Sequence, residues 1–74
     1  MGSVRVLKPR EVVALLQAHG LAEVRQRRSH KQFRHPDGRS TTVLFHGARD
    51  VSPTPLRKIA RNVRLTVEEL RAIP

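Results

Sequence analysis

Residues 30–45 have the sequence HKQFRHPDGRSTTVLF, which predicts two strands joined by a tight turn. Side chains alternate on both sides of residues 36–38, and an Asp-Gly pair between alternating segments is a strong hairpin signal. Phe33 is the only large apolar side chain of the first segment, so we expect its face of the strand to be buried. His30 then projects from the opposite face, which is in contact with solvent.

The remaining strands follow from the same alternation. Thr41, Val43 and Phe45 share a face of the strand 40–45, and we expect that face to join Phe33 in the core. Residues 21–27 alternate loosely and predict a further strand that precedes the hairpin. The sequence therefore predicts three antiparallel strands in chain order.

Helices are expected before and after the three strands in the chain. Residues 9–19 have apolar side chains at helical spacing, begin with Pro9 and end before Gly20, which can take the left-handed conformation that terminates a helix. A second helix is expected to begin near residues 52–55, with Thr54 as its cap and Pro55 in its first turn.

The second predicted helix buries an apolar face made of Leu56, Ile59, Ala60 and Val63. After it, Thr66 and Glu69 have the spacing of a capping box, which predicts a short last helix that buries Leu70 and Ile73. The fold class expected is therefore α+β, with helices on one face of a three-stranded antiparallel sheet, in one domain that spans residues 1–74.

Charge limits the classes of partner. Fifteen Lys and Arg stand against six Asp and Glu, for a formal net charge of +9. Nucleic acid is the leading partner class, because neutralised phosphates release condensed cations. An anionic membrane is the second candidate, and an acidic protein is a third that does not exclude the first. With no apolar run near the length of a membrane span and no secretory segment, we expect a soluble, cytoplasmic protein.

The chain has no cysteine, which excludes disulfides and thiolate metal sites. The four histidines match no metal-binding spacing, so we expect no metal and no cofactor. A chain this short has no room for an enclosed substrate cavity, so we expect a large substrate on a surface patch and no small-molecule substrate. Phe33 and Phe45 are the only aromatic residues, which argues against a single-strand binder that relies on base stacking.

Cations crowd the first two strands and their turns, and Asp37 is the only acid within residues 25–39. The ordinary interpretation of scattered charges is a solvated surface, but six cations in one short stretch favour a phosphate-binding face. They are Arg25, Arg27, Arg28, Lys31, Arg34 and Arg39.

His30 is the candidate catalytic residue. A lone histidine is more often without function, but RNA carries its own nucleophile, the 2′-hydroxyl, and needs only a proton acceptor or donor with charge stabilisation nearby. The residue that would complete the acid–base pair stays open between Lys31, a hydroxyl group and His46. We interpret His19 and His35 as structural.

Residues 24–39, VRQRRSHKQFRHPDGR, resemble the core of HicA toxins, which have V-R-Q-K-G-S-H, then a strand, then R-H-P-D-G-R. Residues 43–47 resemble the V-P-x-H-G segment of that family. Residues 55–59 resemble its G-T-L-R-x-I helix start, and residues 65–70 resemble its L-T-x-E-E-F tail. The similarity spans nearly the whole chain in order.

The resemblance implies a fold like that of double-stranded-RNA-binding domains, ribosome-independent cleavage of mRNA and neutralisation by a HicB antitoxin. It places the catalytic histidine of the family at His30. On this reading Arg25, Arg27, Arg28, Lys31 and Arg34 bind phosphate, and Ser29 orients the site. The rival functions are a non-catalytic RNA-binding module and a protein-interaction domain whose charge matches an acidic partner.

Three positions depart from the family pattern. Arg28 stands where the family has a glycine, which predicts a turn of different shape or a turn at Arg27-Arg28, since arginine does not take a positive φ cheaply. Leu44 stands where the family often has proline. Arg64 replaces the glycine that follows the long C-terminal helix, so Asn62 or a less regular ending is expected to take over as the cap.

Overall fold

A computed structural model describes residues 7–45 and 50–72. Its elements, in chain order, are α1 (Pro9–Ala18), β1 (Ala22–Arg27), β2 (His30–Arg34), β3 (Ser40–Leu44), α2 (Pro53–Asn62) and α3 (Val67–Arg71). The predicted order of helix, three strands, helix and short helix is confirmed, and so is the α+β class. None of the described helices combines the length and the apolar character needed to cross a membrane.

The core lies between one face of the sheet and the helices. The strands are antiparallel in the order β1-β2-β3, and Phe33 on β2 pairs with Thr41 on β3. Phe33 and Val43 are fully buried and Thr41 is nearly so, as the alternation predicts. The helices and the residue that ends α2 contribute most of the rest of the core, chiefly Val12, Leu15, Leu16, Leu56, Ile59, Ala60, Val63 and Leu70.

The turn between β2 and β3 is fixed by the residues that predicted it. The backbone N–H of His35 donates to the carbonyl of Arg39 at 2.8 Å, and Gly38 takes the left-handed conformation with φ of +101°. The Asp37 carboxylate accepts from the backbone N–H of Arg39 at 3.0 Å and from its guanidinium at 2.7 Å. These hydrogen bonds, the backbone one above all, hold the pKa of Asp37 below its usual value.

The start of α2 differs from the prediction. The structure caps the helix with Ser52, which is extended and whose carbonyl accepts from the N–H of Leu56 at 3.1 Å, so Thr54 as cap is wrong. Pro53 and Pro55 both lie in the first turn, where a helix leaves its N–H groups unpaired in any case. The helix therefore begins at Pro53, and its cap lies two residues before the predicted one.

The end of α2 is a Schellman motif built on an arginine. Arg64 adopts a φ of +60°, the N–H of Leu65 donates to the carbonyl of Ala60 at 2.9 Å, and the N–H of Arg64 donates to Arg61 at 3.0 Å. The expectation that Asn62 or a less regular ending takes over as the cap is wrong, because Arg64 itself takes the left-handed conformation. The Asn62 amide instead donates to the Thr41 hydroxyl at 3.2 Å.

The last helix begins as predicted. The N–H of Glu69 donates to the Thr66 hydroxyl at 3.0 Å, and the Glu69 carboxylate accepts from the N–H of Thr66 at 2.8 Å, which confirms the capping box. Leu70 is fully buried. Ile73, which we also expect in the core, lies outside the described residues.

Phe33 supplies the first testable prediction. We expect Phe33→Ala to lower the free energy of unfolding by about 3–5 kcal/mol, because truncation removes a fully buried ring and leaves a cavity. Denaturant unfolding followed by circular dichroism measures the change. Leu44→Ala is the control, since Leu44 is 46% exposed and its truncation leaves no cavity. Equal stability of the two variants would contradict the assignment of the inner face.

Candidate nucleic-acid interface

His30 lies at the start of β2, between the other two strands. It pairs with Arg27 on β1 and with Leu44 on β3, and it is exposed. Residues paired across a ladder have side chains on the same face of the sheet. We call this face, which lies opposite Phe33, the open face; it comprises Ala22, Arg25, Arg27, His30, Gln32, Arg34, Ser40, Thr42 and Leu44.

A β-bulge in β1 brings two arginines to the open face. Glu23 pairs with Phe33, but Arg25 pairs with Gln32, so Val24 between them has no partner in the ladder. One extra residue reverses the alternation that follows it. Without the bulge, Arg25 and Arg27 would share the inner face with Glu23, but with it they share the face of His30.

The cations of the open face are not neutralised within the described part of the chain. Arg25, Arg27 and Arg34 are exposed and form no ion pair among the described residues. The two acids nearest along the chain already have partners: Glu23 lies beside Lys31, and Asp37 is bound by Arg39, whose guanidinium also donates to the carbonyl of Val63 at 2.9 Å. Arg39 thus ties the turn to the end of α2, whereas the other three arginines are free to contact an anion.

Lys31 is not brought together with His30. Its ammonium lies 3.9 Å from a carboxylate oxygen of Glu23 and 4.4 Å from the centre of the Phe45 ring. Both contacts are on the inner side of the sheet, as expected from the place of Lys31 two residues before Phe33. Its positive charge is therefore presented away from the open face.

Arg28 and Ser29 form the two-residue turn between β1 and β2, next to His30. Arg28 has a φ of +56°, whereas the φ of Ser29 is not positive, and this pattern resembles a type II′ turn. The expected turn at Arg27-Arg28 is therefore wrong: Arg27 still belongs to β1, and Arg28 takes the left-handed conformation although it has a Cβ atom. It is held from both sides, because the Arg28 carbonyl accepts from the Gln26 amide at 3.2 Å and the Ser29 carbonyl from the N–H of Phe45 at 2.6 Å.

Two other histidines have partners in the structure. The Nε2 atom of His19 lies 2.9 Å from the Leu70 carbonyl, and the Nδ1 atom of His35 accepts from the backbone N–H of Asp37 at 3.1 Å. His46 lies outside the described residues. No three His, Asp or Glu side chains of the described ranges lie close enough together to hold a metal ion.

The arrangement suits acid–base chemistry on a polyanion. The imidazole of His30 is exposed to solvent, and residues 25, 27 and 34 supply positive charge on its own face. These side chains are exposed, so an extended polyanion can reach them. Sequence reasoning found these side chains but not the bulge that aligns them, because a bulge leaves no distinct mark on a loosely alternating strand.

Fold and site together define a small basic α+β protein with an exposed histidine among arginines on one face of its sheet. Residues 9–65 match the family described as the HicA toxin of bacterial toxin–antitoxin. The chain therefore belongs to the HicA toxin family and is a toxin of a toxin–antitoxin system. A comparison with curated proteins gives no match.

The turn at Arg28 supplies the second prediction. We expect Arg28→Gly to raise the free energy of unfolding by up to about 1 kcal/mol, because the left-handed conformation costs an L-residue about 1–2 kcal/mol, partly offset by the flexibility of glycine in the unfolded chain. The melting temperature measures the change. Arg28→Ala is the control, since it removes the same charge but keeps the Cβ atom. If alanine stabilises as much as glycine, charge rather than backbone strain is the cause.

Proposed function

We propose that the protein is a metal-independent endoribonuclease that cleaves mRNA, with His30 as the general base or general acid. The observation that carries the proposal is the position of His30, exposed on the open face and paired directly with Arg27 in the ladder. Membership of the HicA toxin family supports a toxic activity of this kind.

The chemistry asks little of the protein. The 2′-hydroxyl of RNA attacks the adjacent phosphorus and expels the 5′-oxygen of the next nucleotide, which forms a 2′,3′-cyclic phosphate. An imidazole can take the proton from the 2′-oxygen or give one to the departing 5′-oxygen, and such help contributes about 10²–10⁴-fold in rate. Guanidinium groups stabilise the charge that builds up on the phosphoryl oxygens.

The arginines have distinct positions in this proposal. Arg25, Arg27 and Arg34 contact phosphates from the same face as His30. Arg28 reaches substrate from the tip of the β1–β2 turn, and Ser29 orients the turn that precedes His30. Lys31 lies on the other side of the sheet, which favours a hydroxyl group or His46 over Lys31 as the second acid–base group.

The partner proposed for the toxin is a HicB antitoxin. The formal charge of +9 favours an acidic protein as the neutralising partner. Because the proposed substrate is mRNA, the site of action is the cytoplasm.

The third prediction tests the catalytic residue. We expect His30→Ala to lower the rate of RNA cleavage by about 10²–10⁴-fold while it changes the free energy of unfolding by less than about 0.5 kcal/mol, since the exposed side chain leaves no cavity. Cleavage of a labelled RNA by the purified protein in EDTA measures the rate.

The Gln32→Ala variant is the control for the His30 experiment, because Gln32 lies two residues further along the same face and has no acid–base group. Cleavage by His30→Ala at the original rate would refute the catalytic role. RNA binding without cleavage by the unaltered chain would indicate a non-catalytic RNA-binding module, and the absence of both would indicate a protein-interaction domain.

The fourth prediction tests the phosphate contacts. We expect Arg25→Ala, Arg27→Ala and Arg34→Ala each to weaken RNA binding for any sequence and to reduce the slope of log affinity against log salt by about 0.7 for a single strand. Fluorescence anisotropy at several salt concentrations measures the slope.

Arg10→Ala is the matched control for this series. It removes the same charge, but Arg10 is exposed on α1, in the helical layer that covers the other face of the sheet. An equal loss of slope in Arg10→Ala would show that net charge alone drives binding. A loss confined to particular RNA sequences would show that the arginines contact bases rather than phosphates.

A further inference from the structure

The two edges of the sheet differ in their protection. The outer strand β1 has a bulge at Val24 and carries charged side chains at Glu23, Arg25 and Arg27, which are the features that keep a sheet edge from pairing with another chain. The opposite edge strand, β3, has the sequence STTVL, with no charge, no proline and no bulge in its pairing with β2. Of the two edges, β3 is therefore the one suited to accept a further strand.

The backbone of β3 has hydrogen-bonding groups directed away from β2. The pairs Ser29–Phe45 and His35–Arg39 are hydrogen-bonded, and in an antiparallel ladder such pairs alternate with non-bonded ones. The N–H and C=O groups of Ser40, Thr42 and Leu44 therefore point to the free edge. No backbone hydrogen bond from the described ranges reaches them.

A groove runs along this edge. It has a volume of about 620 Å³ and lies between β3 and α2, with Val43, Val51 and Ile59 among its apolar lining. Leu44 also lines the groove and is 46% exposed, one of two large apolar side chains exposed to this extent in the described chain. Because the side chain of Leu44 lies on the open face, a strand added to β3 would have Leu44 beside one set of its alternating side chains and the groove beside the other.

We propose that the free edge of β3 binds an extended segment of an acidic protein as a fourth strand of the sheet. The proposal rests on the antitoxin pairing proposed above and assigns that partner a mode of binding. Backbone hydrogen bonds to Thr42 and Leu44 would supply register, and the groove would accept alternate side chains.

Charge favours an acidic protein over a second copy of this chain. Two copies at +9 each repel one another, whereas an acidic partner is attracted. The groove adds a local preference, because its one acid, Asp50, is paired with Lys8 at 3.5 Å while its cation Lys58 has no ion pair among the described residues. The strand β3 carries no cation, whereas the open face carries arginines, so phosphates are drawn to the open face rather than to this edge.

Binding at β3 would place the partner beside the open face. Neighbouring strands lie about 4.8 Å apart, so a fourth strand would lie about 10 Å from β2, which carries His30. Leu44 is the direct neighbour of His30 in the ladder and would lie between the histidine and the added strand. A partner bound at this edge can therefore extend over the open face and cover His30. RNA, by contrast, would contact the open face and not the β3 edge.

Amide hydrogen exchange tests the inference in the unaltered chain, with and without the purified HicB antitoxin of the same pair. We expect the amides of Thr42 and Leu44 to exchange rapidly in the free chain and at least tenfold more slowly in the complex. The amides of Thr41 and Val43, which are bonded to β2, serve as internal controls and stay protected in both. Protection of Thr42 and Leu44 in the free chain would overturn the proposal, since the edge would then be occupied by this chain or a second copy.

A pair of variants tests the same point by affinity. Thr42→Pro removes an N–H that points away from β2 and so spares the ladder, and proline is tolerated on an edge strand in that orientation. We expect it to weaken antitoxin binding at least tenfold, while Thr42→Ala, which keeps the N–H, changes binding less than about threefold.

Different results would refute the proposed antitoxin pairing and the proposed strand addition at β3. If the antitoxin does not bind the unaltered chain, the proposed pairing is wrong. If it binds, but the exchange of Thr42 and Leu44 is unchanged, the pairing stands and strand addition at β3 is overturned. Because the exchange measurement needs no substitution, misfolding of Thr42→Pro would leave the inference fully testable.

Discussion

Phe33 is fully buried at the centre of the sheet, and the orientation of the other strand residues depends on that burial. Its ring packs against the helices. The residues paired with Phe33, and those two positions from them along each strand, therefore face inward, and the residues between them face solvent. Val43 and Thr41 complete the inner layer, while His30 is exposed. The core that stabilises the protein and the surface proposed to act on RNA are thus two faces of one strand.

Two features near His30 depart from this regular pattern: a bulge in β1 and a strained turn between β1 and β2. The unpaired Val24 reverses the faces of β1 beyond it, so that Arg25 and Arg27 join His30. The turn that follows holds Arg28 at a positive φ, where a residue with a Cβ atom is disfavoured. Both features lie within the β1–β2 hairpin, whose outer strand is exposed along its whole length. The part of the proposed RNA surface that β1 supplies therefore lies on a strand with no buried residue, whereas the part on β2 lies directly behind Phe33.

The distribution of charge separates two surfaces that a toxin with a protein partner would need. The open face carries arginines with no ion pair among the described residues, whereas the β3 edge is uncharged and offers peptide groups. The acid within the basic stretch, Asp37, already binds Arg39, and this contact holds the β2–β3 turn. We assign the positive charge to an anionic substrate and the directional backbone groups to a protein partner, as proposed above.

The sequence by itself determined the order of the elements, the buried face of β2 and β3, the β2–β3 turn and the capping box at Thr66, because each depends on contacts within a few residues. The start of α2 was predicted wrongly, because Ser52 and Thr54 are each followed by a proline and either could cap the helix. The structure has Ser52 as the cap. Nor did the sequence predict the positive φ of Arg28 and Arg64, which local preference opposes and which the closed turn and the helix end impose. The side of the sheet on which Arg25 and Arg27 lie was decided by the tertiary structure alone, because the bulge exists only in the pairing of β1 with a strand whose own faces Phe33 has already fixed.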